Sequence, residues 1–411
     1  MERVKIYGEV FTPITLVIEL LDKLPSDVWT NPDLTWFEPS AGRGVFMNEI
    51  FSRLLKHHSK EHILNNMLFM AELQADNCEI LRQTYKNIYE GDTLTMELPM
   101  FDIVVGNPPF NSGGIRSHTG KKLGEKNETI WVNFVKKSFD EWLKQDGYLV
   151  FITPLSWLKK THKRHTDILE KQIVWLKLFD NANTKKLIGG EIPTSLYVLK
   201  NTLNTDHKKT DVIGELKRNH IHTTSLVYLN PNYSIPLAHH DLFDKLGRFI
   251  NQHNCRLEYH TKTIKSTGEQ EPLPSDYLLE DNWAVDTYRV RDGVFVKRAT
   301  EQHPDANKRK LIIANKATFN GAFIDEGRLS LTGNHKFYIL GDNLELIKKM
   351  LGFSVIKLLN NSIRYRMGFL EDAVFDYIPD LRKMGITDIT EGEFLIIISK
   401  SNQNTSVNIS I

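Results

Sequence analysis

Hydrophobic and polar positions alternate with two different periods along the first 200 residues of this chain. Short apolar runs have the length and composition of buried strands: MLFMAEL (67–73), FDIVVG (101–106) and LVFITP (149–154). Between them, ADNCEILRQTYKN (75–87) and ETIWVNFVKKSFDEWLKQ (128–145) repeat apolar residues at helical spacing. Strands that alternate with helices predict an α/β domain built on a doubly wound, mostly parallel sheet.

The regular alternation ends after about residue 200. NTLNTDHKKTD (201–211) and RNHIHTTS (218–225) are polar, and we interpret them as an exposed connection or insertion. From about residue 231 onward, short mixed segments with many turn residues predict a second, less regular α+β domain. In that domain LGDNLELIKKMLGFSVIKLLNN (340–361) is the one clear helical stretch.

These patterns predict two domains, 1–230 and 231–411, the second ending in a polar tail that we expect to fray. A length of 411 residues, of which 41% are hydrophobic, suffices for two cores and excludes a disordered chain. Two cysteines exclude a disulfide scaffold, and no apolar stretch reaches the roughly 18 residues that cross a bilayer. We therefore expect a soluble intracellular protein that does not contact a membrane.

Charge is distributed unevenly along the chain, although its sum is close to zero. Residues 1–110 carry 9 basic and 16 acidic side chains, whereas residues 111–200 carry 16 and 9. Residues 281–370 carry 15 basic and 9 acidic side chains. Two basic segments after an acidic one suit a polyanionic partner, but charge alone favours an ordinary solvated surface.

The most informative string, Asn107-Pro108-Pro109-Phe110, directly follows the strand FDIVVG. Two prolines in succession fix a rigid extended turn, because proline neither continues a helix nor donates to a strand. The carboxyl end of a strand in an open α/β sheet is where ligands bind. There the turn presents the amide oxygen of Asn107, the carbonyl oxygen of Pro108 and an aromatic ring. Two acceptors beside a ring suit a planar substrate that bears an NH2 group.

Other chemically informative residues lie where the neighbouring strands are predicted to end. FEPSAGRG (37–44) joins a strand to a helix, and its small residues let the backbone approach a ligand closely. It does not match Gly-x-Gly-x-x-Gly, which argues against a dinucleotide. Glu72 and Asp92 end the next two strands, where a carboxylate is able to accept hydrogen bonds from a ribose. Together with Asn107, these positions predict a nucleoside-shaped site.

With these motifs in this order, the chain resembles the gamma class of S-adenosyl-L-methionine-dependent DNA methyltransferases, which modify the exocyclic amine of adenine. Gly8-Glu9-Val10-Phe11-Thr12-Pro13 is similar to the cofactor motif that comes first in that class, and the motifs described above follow it. DGYLVFITPLSWL and GGEIPTSLYVLKN resemble the remaining sheet motifs. The resemblance covers about the first 200 residues. It implies a Rossmann-like methyltransferase sheet, followed by a target-recognition domain for double-stranded DNA.

The resemblance also implies roles for individual residues. Those expected at the methionine end of S-adenosyl-L-methionine are Thr12, Pro13, Glu38, Ser40, Ala41 and Gly42. Glu72 is expected to bind the ribose hydroxyls, Leu73 to pack on the adenine of the cofactor, and Asp92 to accept from the amine of that adenine. Asn107 and the Pro108 carbonyl are expected to hold the target amine. Phe110, placed by Pro109, is expected to stack on a flipped-out base.

Further contacts are expected from less sharply defined positions. A second aromatic, on the other face of the base, would fall near GGEIPTSLYVLKN, where Ile192 and Tyr197 are the nearest candidates. Phosphate contacts are expected from basic residues of the second domain: Lys308, Arg309, Lys310, Lys316 and Arg328. The reaction needs no metal, and we interpret the pairs His57–His58 and His239–His240 as surface residues.

Other functions remain open at this point. An RNA adenine methyltransferase faces the same chemical problem, and a protein glutamine methyltransferase also presents Asn-Pro-Pro-aromatic to a planar amide. A catalytically silent nucleic-acid-binding subunit would keep the fold, but the intact string from Asn107 to Phe110 counts against it. A companion restriction endonuclease fits the resemblance, whereas the oligomeric state and the recognition sequence are not predicted.

Overall fold

A computed structural model describes residues 12–110, 129–189, 192–217, 220–289, 293–314, 318–333, 336–365 and 370–400. The chain forms two compact units, Met1–Ala238 and His239–Ile411. The first unit therefore ends slightly later than the predicted boundary at residue 230. The roles assigned to the two predicted domains stay predictions.

A nine-stranded sheet forms the centre of the first unit. Its strands are β1 (Trp36–Glu38), β2 (Leu68–Glu72), β3 (Asn87–Glu90), β4 (Phe101–Gly106), β5 (Leu143–Pro154), β6 (Lys171–Phe179), β7 (Thr194–Leu203), β8 (Thr210–Leu216) and β9 (Ile221–Val227). Their order is β3-β2-β1-β4-β5-β7-β6-β8-β9. The first five strands in this order run parallel, and β7 runs antiparallel to both β5 and β6.

Helices and apolar side chains cover both faces of this sheet. The helices of the first unit are α1 (Ile14–Leu21), α2 (Val45–Leu54), α3 (Lys60–His62), α4 (Ala75–Arg82), α5 (Trp131–Lys137), α6 (His165–Leu169) and α7 (Asn181–Ile188). Successive residues of β1 point to opposite faces. Trp36 stacks on Trp29 with 5.0 Å between ring centroids, whereas Phe37 stacks on Phe101 at 4.4 Å. The predicted doubly wound, Rossmann-like α/β fold is therefore confirmed.

The parallel strands bring their carboxyl ends to one edge of the sheet. Glu38 is the last residue of β1, Glu72 of β2 and Gly106 of β4. The pairing register places Glu72 beside Glu90 of β3, and Gly106 beside Phe151 of β5. The turns that follow these strands therefore lie along the edge where an open α/β sheet binds its ligands.

The polar stretches at 201–211 and 218–225 form only in part the exposed connection that we predicted, because residues 204–209 join β7 to β8 and are largely exposed. Residues 201–203 end β7, whereas residues 210–211 and 221–225 belong to the hairpin of β8 and β9, and β8 pairs in parallel with β6. Buried and half-buried positions alternate along β8, so one face of the strand packs on the protein. Because many residues of this hairpin are polar, the alternation of buried and half-buried positions was not recognised in the sequence.

The second unit contains two small sheets and, among its described residues, four α-helices. Its strands are β10 (Ser266–Pro272), β11 (Trp283–Arg289), β12 (Gly293–Ala299), β13 (Arg309–Ala314), β14 (Phe323–Glu326), β15 (Ser330–Leu331) and β16 (Lys336–Leu340). Its helices are α8 (His240–His253), α9 (Leu344–Leu351), α10 (Ser354–Ser362) and α11 (Glu391–Lys400). The sheets have the orders β10-β12-β11-β15 and β14-β13-β16. Within the part of the chain that the structure describes, no helix is long and apolar enough to span a membrane.

The helical stretch predicted at 340–361 is two helices, and it is not the only one in this unit. α9 ends at Leu351, and the backbone of Phe353 is extended (φ −64°, ψ 145°) before α10 begins. α8 is a second amphipathic helix, with 14 residues and a buried face that includes Phe243 and Leu246. The prediction of a single helical stretch missed it.

The pair His239–His240 is not a surface pair, contrary to our interpretation. His240 begins α8 and is only 5% exposed, and the pKa of His239 is lowered, mainly by burial. His57 is exposed, whereas His58 is half-buried and its Nε2 donates to the Trp29 carbonyl at 2.9 Å. Adjacent histidines in a sequence therefore did not indicate solvent exposure here.

Candidate active site

Backbone hydrogen bonds hold the turn that follows β1. The Ala41 N–H donates to the Ala71 carbonyl of β2 at 3.0 Å, and the Gly44 N–H donates to the Ala41 carbonyl at 2.8 Å. Gly42 has a φ of +54°, and a Cβ added there would meet no atom within 4 Å. The backbone at Gly42 therefore borders open space, where a ligand is able to approach it closely.

The carboxylate of Glu72 ties the end of β2 to that turn. Its Oε2 accepts from the Gly42 N–H at 2.7 Å, and its Oε1 accepts from the Gln74 N–H at 2.8 Å. Hydrogen bonds to a charged acceptor are roughly twice as strong as neutral ones, so Glu72 fixes the shape of this edge. The contact with ribose hydroxyls predicted for Glu72 stays a prediction.

Leu73 and Asp92 are exposed at the ends of β2 and β3. Leu73 has 60% of its surface exposed, which leaves an apolar side chain available beside the sheet edge. Asp92 caps the turn Thr93–Thr95 by accepting from a backbone N–H of that turn at 3.0 Å. The Thr93 Oγ1 donates to the Pro39 carbonyl at 2.8 Å, which joins this turn to the one after β1.

Glu38 places a buried carboxyl group at the same edge. It is 3% exposed, and its Oε2 has no hydrogen-bond partner within the described ranges. Burial, followed by the nearby Glu72 carboxylate, raises the pKa of Glu38 well above its ordinary range. The Oγ of Ser40 is also buried and also lacks a partner among the residues described. Because buried polar atoms without partners are costly, both atoms are candidates for contact with a polar ligand.

The side-chain amide of Asn107 is oriented by Thr12. The Asn107 Nδ2 donates to the Thr12 Oγ1 at 3.1 Å. The Oδ1 is buried and has no hydrogen-bond partner in the described part of the chain. Gly106, the residue before Asn107, packs closely on β1, because a Cβ added to it would lie 3.7 Å from the Glu38 Cγ. The amide oxygen is thus held as a free acceptor close to the end of β1.

The structure therefore brings the predicted site residues to a single sheet edge. Pro108 is buried in the turn after Asn107, and Pro109 and Phe110 are half-buried. Thr12 and Pro13 lie directly before α1, and the Pro13 carbonyl accepts the first hydrogen bonds of that helix. The contact between Thr12 and Asn107 was not predicted. The sequence assigned these residues to different ligands, and 95 positions separate them.

Tyr197 is not the second stacking aromatic. It is fully buried in β7 and packs edge-to-face on Trp157, with 5.5 Å between ring centroids. Ile192 lies just before β7 and has 41% of its surface exposed. Because β7 is antiparallel to β5, the start of β7 lies at the carboxyl end of β5. Of the two candidates, only Ile192 is available at the site edge.

Lys310 was wrongly predicted to contact phosphate. Its side chain is fully buried, and its Nζ forms an ion pair with the Asp325 Oδ2 at 2.5 Å. The Nζ also donates to three backbone carbonyls at 3.0 to 3.1 Å. Lys310 pairs with Asp325 across β13 and β14, so the two charges meet only in the folded sheet.

The other predicted phosphate contacts are weakened or fall outside the described residues. Arg309 and Lys308 are both paired with carboxylates of their own unit, so their charges are already neutralised there. Arg328 is exposed, and its guanidinium lies over the ring of Tyr277 at 6.0 Å. Lys316 lies outside the described residues, as does the segment Gly8–Phe11 of the first cofactor motif.

Comparison with known proteins bears on the class of protein that this fold and edge define. Residues 15–186 match the model of the Eco57I restriction-modification methylase family. An uncharacterized adenine-specific methylase of Mycoplasma pneumoniae is 40% identical over 88 residues, which cover 18% of this chain and 21% of that relative. The modification methylase CviBIII of Paramecium bursaria Chlorella virus NC1A is 29% identical over 151 residues, 36% of this chain and 37% of the relative. The match thus spans well under half the length of either relative.

A solved structure resembles the chain over nearly its whole length. The type IIL restriction-modification enzyme MmeI in complex with DNA aligns with 98% of this chain and 72% of its own, with a TM-score of 0.51 and 10% sequence identity. At that identity the likeness shows the fold alone. The family match and the two relatives confirm the predicted resemblance to adenine-specific DNA methyltransferases, and the gamma-class motif order is consistent with them.

Proposed function

We propose that this chain transfers a methyl group from S-adenosyl-L-methionine to the exocyclic amine of an adenine in DNA. The observation that carries the proposal is the buried, unpartnered Oδ1 of Asn107, which the hydrogen bond to Thr12 fixes in one orientation. The carbonyl of Pro108 follows it in a turn that two prolines hold rigid. Two acceptors beside the half-buried ring of Phe110 match an aromatic NH2 group better than a hydroxyl or a carbonyl.

The two acceptors address the weakness of this amine as a nucleophile. Its lone pair is delocalised into the ring, and its pKa lies out of reach of any side-chain base. Hydrogen bonds from both N–H groups to Asn107 and Pro108 favour a pyramidal nitrogen and stabilise the positive charge that develops on it. Once methylated, the cationic nitrogen is strongly acidic and loses one proton to water. Since these acceptors are fixed before the reaction, little reorganisation is needed during the transfer.

The residues at the sheet edge fit S-adenosyl-L-methionine. When bound, this cofactor supplies a methyl group already activated on a sulfonium. The unpartnered atoms of Glu38 and Ser40 suit its polar methionine end, and the open space beside Gly42 admits its chain. Exposed Leu73 offers a surface for its adenine, for which Asp92 is the proposed acceptor. Glu72 would bind the ribose while holding the Gly42 turn in place.

The substrate of the proposed reaction is double-stranded DNA with the target base turned out of the helix. Extruding a base costs a few kcal/mol, and stacking on Phe110 would recover about 1–3 kcal/mol of that cost. We assign recognition of the DNA sequence to the second unit. The family match makes a companion restriction endonuclease a further proposed partner.

The proposed activity is tested by identifying the methylated product. Purified protein is incubated with methyl-deuterated S-adenosyl-L-methionine and unmethylated genomic DNA, and the DNA is then digested to nucleosides for mass spectrometry. Deuterated N6-methyladenine, confined to one short sequence motif, is the expected product. Deuterated N4-methylcytosine would overturn the choice of base, and methylation of RNA or protein in place of DNA would overturn the choice of substrate. Calorimetry that finds no cofactor binding would overturn the whole proposal.

Cofactor binding should release protons when Glu38 is present. The raised pKa of Glu38 keeps its carboxyl protonated at pH values where an exposed carboxyl is ionised. A cationic ligand favours the ionised form, so binding at a pH between the ordinary glutamate pKa and the raised one should release up to about one proton. The free protein should lose stability as pH rises from the ordinary glutamate pKa through the raised one, because the folded state holds the extra proton in that interval. The measurement is calorimetry in buffers of different ionisation enthalpy.

Glu38→Gln should remove the buffer dependence of the binding enthalpy, because the amide does not titrate. Glu97→Gln, a change at an exposed carboxyl of the same unit, is the matched control and should keep that dependence. Equal proton release from both variants would contradict the role given to Glu38.

Thr12→Val should slow methyl transfer by roughly fivefold, with a smaller effect on cofactor affinity. Valine keeps the shape of threonine but removes the acceptor that orients the Asn107 amide, and a neutral hydrogen bond contributes about 1 kcal/mol. Thr12→Ser keeps the hydroxyl and should retain most of the rate. The measurement is single-turnover methylation at saturating cofactor, with cofactor affinity determined separately by calorimetry. A loss of affinity with an unchanged rate would assign Thr12 to the cofactor alone.

A further inference from the structure

A cavity of about 750 Å³ lies in the first unit and has no role in the site described above. Except for Val132, its described lining residues are polar: Thr129, Asn133, Ser156, Thr161, His162 and Lys163. No carboxylate is among the described residues that line it. Hydroxyl and amide groups beside a lysine, without an acid, are the donor set that proteins use for phosphate groups.

The cavity lies at the same edge of the sheet as Asn107. Ser156 comes shortly after Pro154, the last residue of β5, and β5 is the parallel neighbour of β4. The register pairs Phe151 of β5 with Gly106, the residue directly before Asn107. Groups that follow the ends of β4 and β5 are therefore neighbours at the edge where the target base is proposed to bind.

The segment that borders this cavity, residues 159–165, is strongly basic. Residues 159–165 have the sequence KKTHKRH, with four lysines or arginines and no acid. Arg164 is paired with Asp167. Lys160 and Lys163 are exposed, and neither forms an ion pair within the described ranges. Their charges, exposed and unpaired in the described part of the chain, distinguish them from Lys310, whose charge is buried and paired.

His162 adds a neutral donor at a fixed position. Its ring stacks on Trp131 with 5.3 Å between centroids and 8° between planes. Burial, followed by the charges of Lys163 and Arg164, lowers the pKa of His162 to about 4, so the ring is neutral near pH 7. Its Nδ1 accepts from the Arg164 N–H at 3.2 Å, which leaves the ring proton on Nε2 as a donor.

We propose that this cavity and the segment 159–163 bind backbone phosphates of the DNA strand that carries the target adenine. The proposal rests on the proposed function and extends it to the catalytic unit, which would hold the substrate backbone next to the extruded base. Lys163 and Lys160 supply the charge, and the hydroxyl groups, Asn133 and His162 supply fixed donors. Such contacts position the strand and do not read its sequence.

Lys163→Ala should weaken binding of DNA and reduce its dependence on salt. The probe is a fluorescein-labelled 30-base-pair duplex of mixed sequence, titrated by fluorescence anisotropy with the full chain at several salt concentrations. Loss of one phosphate contact should make the slope of log K against log salt less negative by about 0.9. The loss of affinity should be the same for an unrelated duplex, and Lys163→Arg should largely restore binding. Binding of S-adenosyl-L-methionine should not change.

Lys56→Ala is the matched control, because Lys56 is exposed and follows the end of α2, at the opposite edge of the sheet from Asn107. An unchanged slope in Lys163→Ala, or an equal reduction in Lys56→Ala, would overturn the assignment of this surface. A loss seen only with an RNA duplex of the same sequence would overturn the choice of DNA. If the wild-type chain binds neither duplex, the proposed function itself fails. If the wild-type chain binds DNA and Lys163→Ala binds it equally well, only this inference is refuted.

Discussion

Asn107→Ala should lower the single-turnover rate of methyl transfer by about two to three orders of magnitude. The substitution removes a side-chain acceptor that is buried, oriented and, among the described residues, unpartnered, while the following prolines keep the backbone in place. Affinity for cofactor and for DNA should change far less, since neither depends mainly on that amide. The measurement is the rate of N6-methyladenine formation on a duplex carrying the enzyme's own site, followed by mass spectrometry.

Asn107→Asp and Asn66→Ala serve as controls for this prediction. Aspartate keeps an acceptor oxygen but loses the N–H group that donates to Thr12, so it should retain more activity than alanine. Asn66 is an exposed asparagine that precedes β2, at the other edge of the sheet, and its replacement should leave the rate unchanged. An undiminished rate in Asn107→Ala would refute the proposed mechanism even if the product were N6-methyladenine.

Lys310→Met should destabilise the second unit by about 3–5 kcal/mol. The substitution removes the cation from a fully buried ion pair and leaves the carboxylate of Asp325 uncompensated in the sheet. Backbone N–H groups of Arg328 and Leu329 also donate to that carboxylate, but they do not replace the lost charge. Hydrogen exchange should report the effect as faster exchange in β13 by roughly a hundredfold or more, with the first unit as internal reference.

A second substitution separates the charge effect from the loss of packing. Lys310→Met combined with Asp325→Asn removes the unpaired charge and keeps an acceptor for the backbone N–H groups, so it should recover part of the lost stability. Lys348→Met alters an exposed lysine of the same unit and should change little. Equal destabilisation by Lys310→Met and Lys348→Met would contradict the importance of the buried pair.

The positions of the site residues were predictable because each follows an apolar strand. Asn107 comes after FDIVVG and Glu72 after LFMA, and parallel strands gather their carboxyl ends at one edge whatever the helices between them look like. What the side chains contact there was not predictable. The hydrogen bond between Thr12 and Asn107 joins residues 95 positions apart, and local spacing carries no information about such a pair.

The wrong predictions for Lys310 and for the hairpin of β8 and β9 have a related physical cause. Lys310 lies in the run KRK, which in a sequence looks like a solvated charge cluster, and its partner Asp325 becomes a neighbour only when β13 and β14 pair. In β8 the strand period was present but was carried by residues of mixed polarity, since only one face is buried. In both cases tertiary pairing, rather than local composition, decides which side chains leave water.

The hydrogen bond between Thr12 and Asn107 also bears on the connectivity of the chain. It joins a residue that precedes the first strand of the sheet to one that follows the fourth, so the two meet across the sheet edge and not along the backbone. The Asn107 amide needs a hydroxyl oxygen within hydrogen-bond distance of its Nδ2, and any segment of the chain could supply it. A permuted chain that supplied the same hydroxyl from another terminus would build the same acceptor. The order in which the motifs occur along the chain is therefore a property of connectivity, and the chemistry of the site does not dictate it.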